Sequence, residues 1–292
     1  MAAPLHLRRD AEHLADPLPA LLVAAKQLAA NVSLGIHGRR QSGMGESFWQ
    51  YRQALPGDAM SAIDWRRSAR SDTVFIRERE WEAAHTVAIW ADNALSMDFR
   101  GSGETTKGAR ANLLALALSV LLDKGGERVA FPATIAADPR HGERHLQRIA
   151  QALSDVSAER PEYGTAPDLP PLKPATTVLF SDFLGPDDQV FPALERAAKA
   201  CHCGYLVRIL DPQEESFPFD GRVVFESMGG GVSFETHRAR ALQEAYRARL
   251  AERTERLRDF AQRTGWHMLD HRSGESAQPV LLALFSGIGG RE

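Results

Sequence analysis

The apolar positions of this chain change rhythm twice, and the changes mark its organisation. Leu18, Leu21, Leu22, Ala25 and Leu28 recur at helical spacing behind Pro17 and Pro19, which predicts a helix over about residues 18–31. Residues 47–55 and 73–80 then read as strands, with Val74 and Ile76 alternating against Phe75, Arg77 and Arg79. Between them Pro56-Gly57-Asp58 marks a tight turn. The run Ala62 to Arg70 predicts one or two helical turns, with Asp58 or Ser61 as the cap.

From His85 onward strand and helix alternate. Thr86 to Ala91 is a continuous apolar run, the mark of a strand buried on both faces. The pattern then predicts a helix over 106–123, a strand over 128–133 and a helix over 143–156. Past a proline-rich loop come a strand over 176–180, a helix over 190–200 and a strand over 205–210. A short strand over 222–226 and the run Gly229 to Gly231 read as an insertion. A long helix over 236–263 carries Leu242, Tyr246, Leu250, Leu257 and Ala261 on one side, and residues 266–269 form the last predicted strand. Such alternation predicts an α/β fold, a mostly parallel sheet flanked by helices. The expected organisation is an N-terminal helical segment (1–33), a small β-rich leader (34–84) and an α/β domain (85–292) with a small insertion near 211–234.

Composition narrows the function classes. The chain has 292 residues and a formal net charge of −3, so no global field draws it to nucleic acid or to an anionic membrane. Its basic residues are nearly all arginine, with lysine only at 26, 107, 124, 173 and 199. Cys201 and Cys203 are the only cysteines and stand too close to staple a fold, which points to a reducing, cytoplasmic setting. The longest apolar run, Leu113 to Leu122, is about half of the roughly 20 residues a spanning helix needs, so no membrane span is expected. The N-terminal stretch mixes acids with bases and is a poor signal peptide.

Candidate chemistry sits where an open α/β sheet gathers ligands, at the carboxyl ends of its strands. Asp92 directly follows the Thr86 strand, and Asp182 follows the strand beginning at Thr176. An acid with a hydroxyl at adjacent strand ends suits a hard, oxygen-loving cation such as Mg²⁺. The plainer reading is that Asp92 and Asp182 cap the following helices or bind nearby backbone N–H groups. Other signals are weak. Cys201-His202-Cys203 offers three adjacent donors where a closed zinc site needs four suitably spaced, and it reads better as a helix end stopped by Gly204. The Gly229 to Gly231 run lacks the Gly-Lys-Ser/Thr of a phosphate loop, and the chain has no Gly-x-Ser-x-Gly elbow.

Asp92, Ser96, a loop threonine at Thr165 and Asp182 resemble the metal-ion-dependent adhesion site of von Willebrand factor A domains. Ala94 stands where that pattern has its middle serine, so the copy is degenerate by one direct ligand. The leader carries a second resemblance. Gly43-x-Gly45, Phe48, Arg52, Pro56-Gly57-Asp58, Ile63-Asp64-Trp65, Ser68-Ala69-Arg70 and Glu80 resemble the signature of the domain of unknown function 58 family. Departures stand at Ser47, Ala54, Ala59 and Ser61-Ala62. The resemblance implies a von Willebrand A-like, Rossmann-like domain behind the leader, and a Mg²⁺ site at Asp92, Ser96, Thr165 and Asp182. It also implies a non-enzymatic interaction protein working with a MoxR-type AAA+ ATPase in assembling or regulating another complex. The alternatives are a metal-dependent hydrolase using Asp92 and Asp182, or a scaffold whose site has decayed. Arg52, Gly57, Asp58, Asp64, Trp65 and Arg70 have an architectural explanation. Gly57 frees the turn, Trp65 fills a core, and Asp58 or Asp64 pairs with Arg52 or Arg70.

Overall fold

A computed structural model describes residues 20–37, 48–54, 60, 63–70, 73–79, 85–101, 103–155, 159–169, 175–201, 203–231 and 233–289. The chain divides into two compact units, residues 37–84 and residues 1–36 with 85–292.

The smaller unit pairs β1 (Phe48–Gln53) antiparallel with β2 (Phe75–Arg79), with a register irregularity between Phe48 and Gln50. Between them lies a single turn, α2 (Trp65–Ser68). Its cap is Asp64, not Asp58 or Ser61: the Asp64 carboxylate accepts from the N–H groups of Arg66 and Arg67. Ser68 clasps the turn to the hairpin, donating to the Asp64 carbonyl at 2.8 Å and accepting from Phe75 N–H at 2.9 Å. Trp65 does not fill a core. It opens a four-residue helix that buries no side chain and is 58% exposed.

The larger unit is built on one parallel sheet in the order β4-β3-β5-β6-β9. These strands are β3 (Thr86–Ala91), β4 (Arg128–Ala130), β5 (Ala175–Ser181), β6 (Cys203–Leu210) and β9 (His267–Arg272). Alternate side chains of the inner strands feed two separate cores, as the period of two requires. Val87, Ile89, Val178, Phe180, Val207 and Ile209 join the first core. There they meet α1 (Ala20–His37), α3 (Lys107–Lys124), α4 (Glu143–Ser154) and α8 (Gln278–Gly289). Leu179 and Leu206 point the other way, to α5 (Asp187–Ala200) and α7 (Ala239–Thr264). Both faces are therefore covered, and this explains the unbroken apolar run of β3. The N-terminal helix belongs to this core through Leu22, Ala25, Ala29 and Val32.

The structure differs from the sequence reading at the edges of the elements. The long helix starts at Ala239, because Ser233–Thr236 forms β8 and pairs antiparallel with β7 (Val223–Glu226). That hairpin is fastened by an aromatic cluster of Phe217, Phe219, Phe225 and Tyr246. A short helix, α6 (Pro212–Ser216), precedes it. The terminal α8 carried no expectation at all. Gly204 is not a helix stop but the second residue of β6, where a side chain would collide with the Trp266 ring 2.0 Å from its Cβ.

Candidate functional site

β3 and β5 are neighbours, yet the chain leaves β3 for β4 on one side and returns to β5 on the other. That reversal is the switch point of a doubly wound sheet, the place where its crevice opens. Asp92 and Asp182 stand there, at the carboxyl ends of β3 and β5, both 1% exposed. Their backbones are tied across the gap, with Asp92 N–H donating to the Phe180 carbonyl at 2.9 Å.

Neither aspartate caps a following helix. Thr106 caps α3, and Pro186 precedes α5. Instead each carboxylate folds onto its own loop. Asp92 Oδ1 accepts from Ala94 N–H at 2.9 Å, and Asp182 Oδ1 accepts from Leu184 N–H at 2.9 Å. Ser181 donates to Asp92 Oδ2 at 2.6 Å and accepts from Phe183 N–H. Phe183 holds a left-handed φ of 53° to make that turn, an uncommon conformation for a bulky residue. The loop expected to bring a threonine does reach Asp92, but through backbone: a side chain at Gly164 would overlap both Asp92 carboxylate oxygens, 2.0 Å from its Cβ. Thr165 itself is exposed. Ser96 is 8% exposed, and its Oγ has no hydrogen-bond partner among the described residues.

The residue that organises the site escaped the sequence reading. Lys107, the first residue of α3, is 1% exposed and sends its ammonium back over the strand ends. Nζ donates to Asp182 Oδ2 at 2.8 Å and to Glu214 Oε1 at 2.6 Å, and it lies 5.7 Å from the centre of the Phe99 ring. Three N–H directions thus meet two carboxylates and an aromatic face. Glu214 comes from α6, where a capping box with Asp211 fixes it and its Oε2 accepts from Asp211 N–H. Asp211 in turn accepts from Gly101 N–H and from Ser273 Oγ, joining the segment between β3 and α3 to the ends of β6 and β9. A signal for Lys107 was present: it is one of five lysines in an arginine-rich chain, at a helix N-terminus where a cation opposes the helix dipole.

The electrostatics follow from burial. Asp92 is pushed up to about 6, first by desolvation and then by the Asp182 charge, while Ser181, the Ala94 N–H and Lys107 pull it back only in part. Burial works against the Lys107 charge, but Asp182 and Glu214 outweigh it and hold the ammonium protonated above the ordinary lysine value.

These residues do not fit a divalent ion while Lys107 is in place. A dication on Asp182 would stand only a few ångströms from an ammonium already bound to that carboxylate. At ~4 Å and an effective dielectric near 20 the repulsion is about 8 kcal/mol. Among the described residues, no three His, Cys, Asp or Glu side chains are grouped to hold a metal. Among the described residues, the orphaned Ser96 hydroxyl is a feature that a cation would satisfy.

The leader residues are placed only in part. Asp64 is the α2 cap and Arg70 is exposed, whereas Gly57, Asp58 and the Arg52 side chain lie outside the described residues. Neither Cys201, which closes α5, nor Cys203, which opens β6, is in a disulfide. A cavity of about 330 Å³ lies between the end of β6 and α7, where Arg208, Arg247 and Arg258 are interleaved with Glu215 and Glu255. Among the described residues no helix is long and apolar enough to cross a membrane.

Comparison with known proteins adds a family. The chain is 29% identical over 267 residues to the uncharacterized protein Mb1516 of Mycobacterium bovis, covering 86% of this chain and 83% of the relative. Two Mycobacterium tuberculosis proteins, the uncharacterized proteins MT1527 and Rv1480, match to the same extent. No solved structure matches. The profile described as "Protein of unknown function DUF58" covers residues 50–256, from β1 through most of α7, and so takes in the hairpin, the switch point, Lys107 and Glu214 alike. A match over that much of the chain makes it a member of the DUF58 family.

Proposed function

We propose that this protein is a non-enzymatic adaptor whose strand-end face docks a partner protein. The partner is a MoxR-type AAA+ ATPase, and the pair serves the assembly or regulation of another complex. One observation carries the reading: the charged groups at the switch point satisfy one another, and what faces solvent is a rim. Asp92, Asp182 and Lys107 form a buried floor, each 1% exposed. Asn93, Arg100, Tyr163 and Thr165 are exposed above it on the loops that follow β3 and precede β5. Such a floor fixes loop positions by charge-assisted hydrogen bonds and leaves recognition to shape and rim contacts. The ATPase as partner comes from the resemblance of the leader and strand-end residues.

The test is co-purification of the full chain with the ATPase, with and without nucleotide, beside a rim variant carrying Asn93→Arg and Tyr163→Ala. Retention of the wild type and loss of the variant support the docking face. Failure to co-purify in either nucleotide state removes the ATPase from the reading. The rival, a metal-dependent hydrolase on Asp92 and Asp182, requires a water-accessible base beside a metal. Phosphoester turnover abolished by Asp92→Asn would select it.

A further inference from the structure

The Lys107 ammonium does what a metal does at such a site. It draws together carboxylates from two strand ends, Asp182 after β5 and Glu214 after β6, across 75 and 107 positions of sequence. It does so from within, at 1% exposure, on the first residue of a helix whose own cap, Thr106, is bonded to Ala109 N–H at 3.1 Å. The place is therefore set by the fold and is filled at all times. One further observation bears on a cation at these strand ends. Ser96 Oγ is nine-tenths buried and without a partner among the described residues, four positions beyond Asp92.

We propose that Lys107 is the resident cation of this strand-end site and makes it independent of divalent metal. The lysine occupies the charge position, and removing it opens a vacancy that a hard cation fills with Asp182 and Glu214. The proposal concerns the chain alone and holds whatever docks on the rim, so its test is separate from co-purification with a partner.

The experiment is Mn²⁺ titration of the purified full chain, with free Mn²⁺ read by electron paramagnetic resonance and Mg²⁺ as competitor. Wild type takes up no saturable equivalent at millimolar Mn²⁺, and its thermal midpoint is the same in EDTA and in Mg²⁺. Lys107→Ala binds one equivalent at least about tenfold more tightly than wild type. Mg²⁺ displaces that equivalent, and adding Asp182→Asn abolishes it. Lys107→Gln, which keeps a donor toward Asp182 and Glu214 without the charge, is the second variant should the alanine form fail to fold. A saturable Mn²⁺ equivalent in wild type that Asp92→Asn or Ser96→Ala removes overturns the proposal, and that arm needs no folded lysine variant. Folded Lys107 variants that bind Mn²⁺ no better than wild type overturn it equally.

Discussion

Replacing Asp92 by Asn separates two buried titrations that oppose each other in the wild type. Asp92 is shifted from 3.8 up to about 6 by desolvation and by Asp182. Between those values the folded chain keeps a proton that the unfolded chain has released, so this group makes stability fall as pH rises, with the full cost present above about pH 6. Roughly two units at ~1.4 kcal/mol each give about 3 kcal/mol. His271, at 5% exposure on β9, is shifted the other way, from 6.5 down to about 4, by burial and then by Arg110, with Glu275 pulling weakly back. Here the unfolded chain holds the extra proton, so stability rises with pH between about 4 and 6.5, again by about 3 kcal/mol. The two contributions nearly cancel in wild type. Asp92→Asn removes only the first.

The assay is urea unfolding followed by far-ultraviolet circular dichroism at about pH 4 and about pH 7.5, in EDTA. The amide keeps the acceptor for Ala94 N–H but cannot accept from Ser181, which costs about 1 kcal/mol at every pH and cancels in the comparison between the two. The expected result is that stability of the variant relative to wild type improves by about 3 kcal/mol from the acid to the neutral condition. Parallel behaviour of the two proteins, to within about 1 kcal/mol, refutes the reasoning, since it means Asp92 titrates as an ordinary carboxylate.

Three further outcomes are expected. Lys107→Met leaves Asp182 and Glu214 buried without their counter-ion and destabilises the larger unit by about 3–5 kcal/mol in urea unfolding, more at neutral than at acid pH. Gly164→Ala drives a methyl group into the Asp92 carboxylate and lowers the thermal midpoint by several degrees, and Asp92→Gly in the same chain recovers part of it. Ser68→Ala severs the clasp between α2 and β2, which speeds amide hydrogen exchange at Phe75 while the central sheet keeps its protection.

What the sequence disclosed and what it hid divide along the range of the interactions. β3, β5 and β6 were visible because burial on both faces leaves a continuous apolar run, and the strand-end positions of Asp92 and Asp182 followed from it. The hairpin strand β8 was absorbed into the neighbouring helix, since Ser233–Thr236 is too short and too exposed to show a period. α8 is apolar around most of its circumference, with Pro279 near its start and Gly287 within it, so periodicity alone did not disclose it. The site was legible in its two strand-end aspartates and illegible in Lys107 and Glu214. A carboxylate at a strand end announces itself by place, whereas Lys107 acquires its meaning only when α3 is laid against the sheet and Glu214 arrives from the far side of β6.

That asymmetry bears on how the face works. A metal ion at a strand-end site keeps exchangeable positions, so a partner carboxylate can enter its coordination sphere and affinity follows metal supply. An ammonium has only three donors, and Asp182 and Glu214 hold two of those of Lys107, with the Phe99 ring centre 5.7 Å away. At 1% exposure that ammonium is out of reach of an incoming acid. The buried charges hold the loops after β3, β5 and β6 in one arrangement, and under the docking role proposed above discrimination between partners falls to the exposed side chains of the rim. Substituting Asn93 or Tyr163 should alter which protein is bound while leaving stability unchanged, whereas substituting Lys107 should do the reverse.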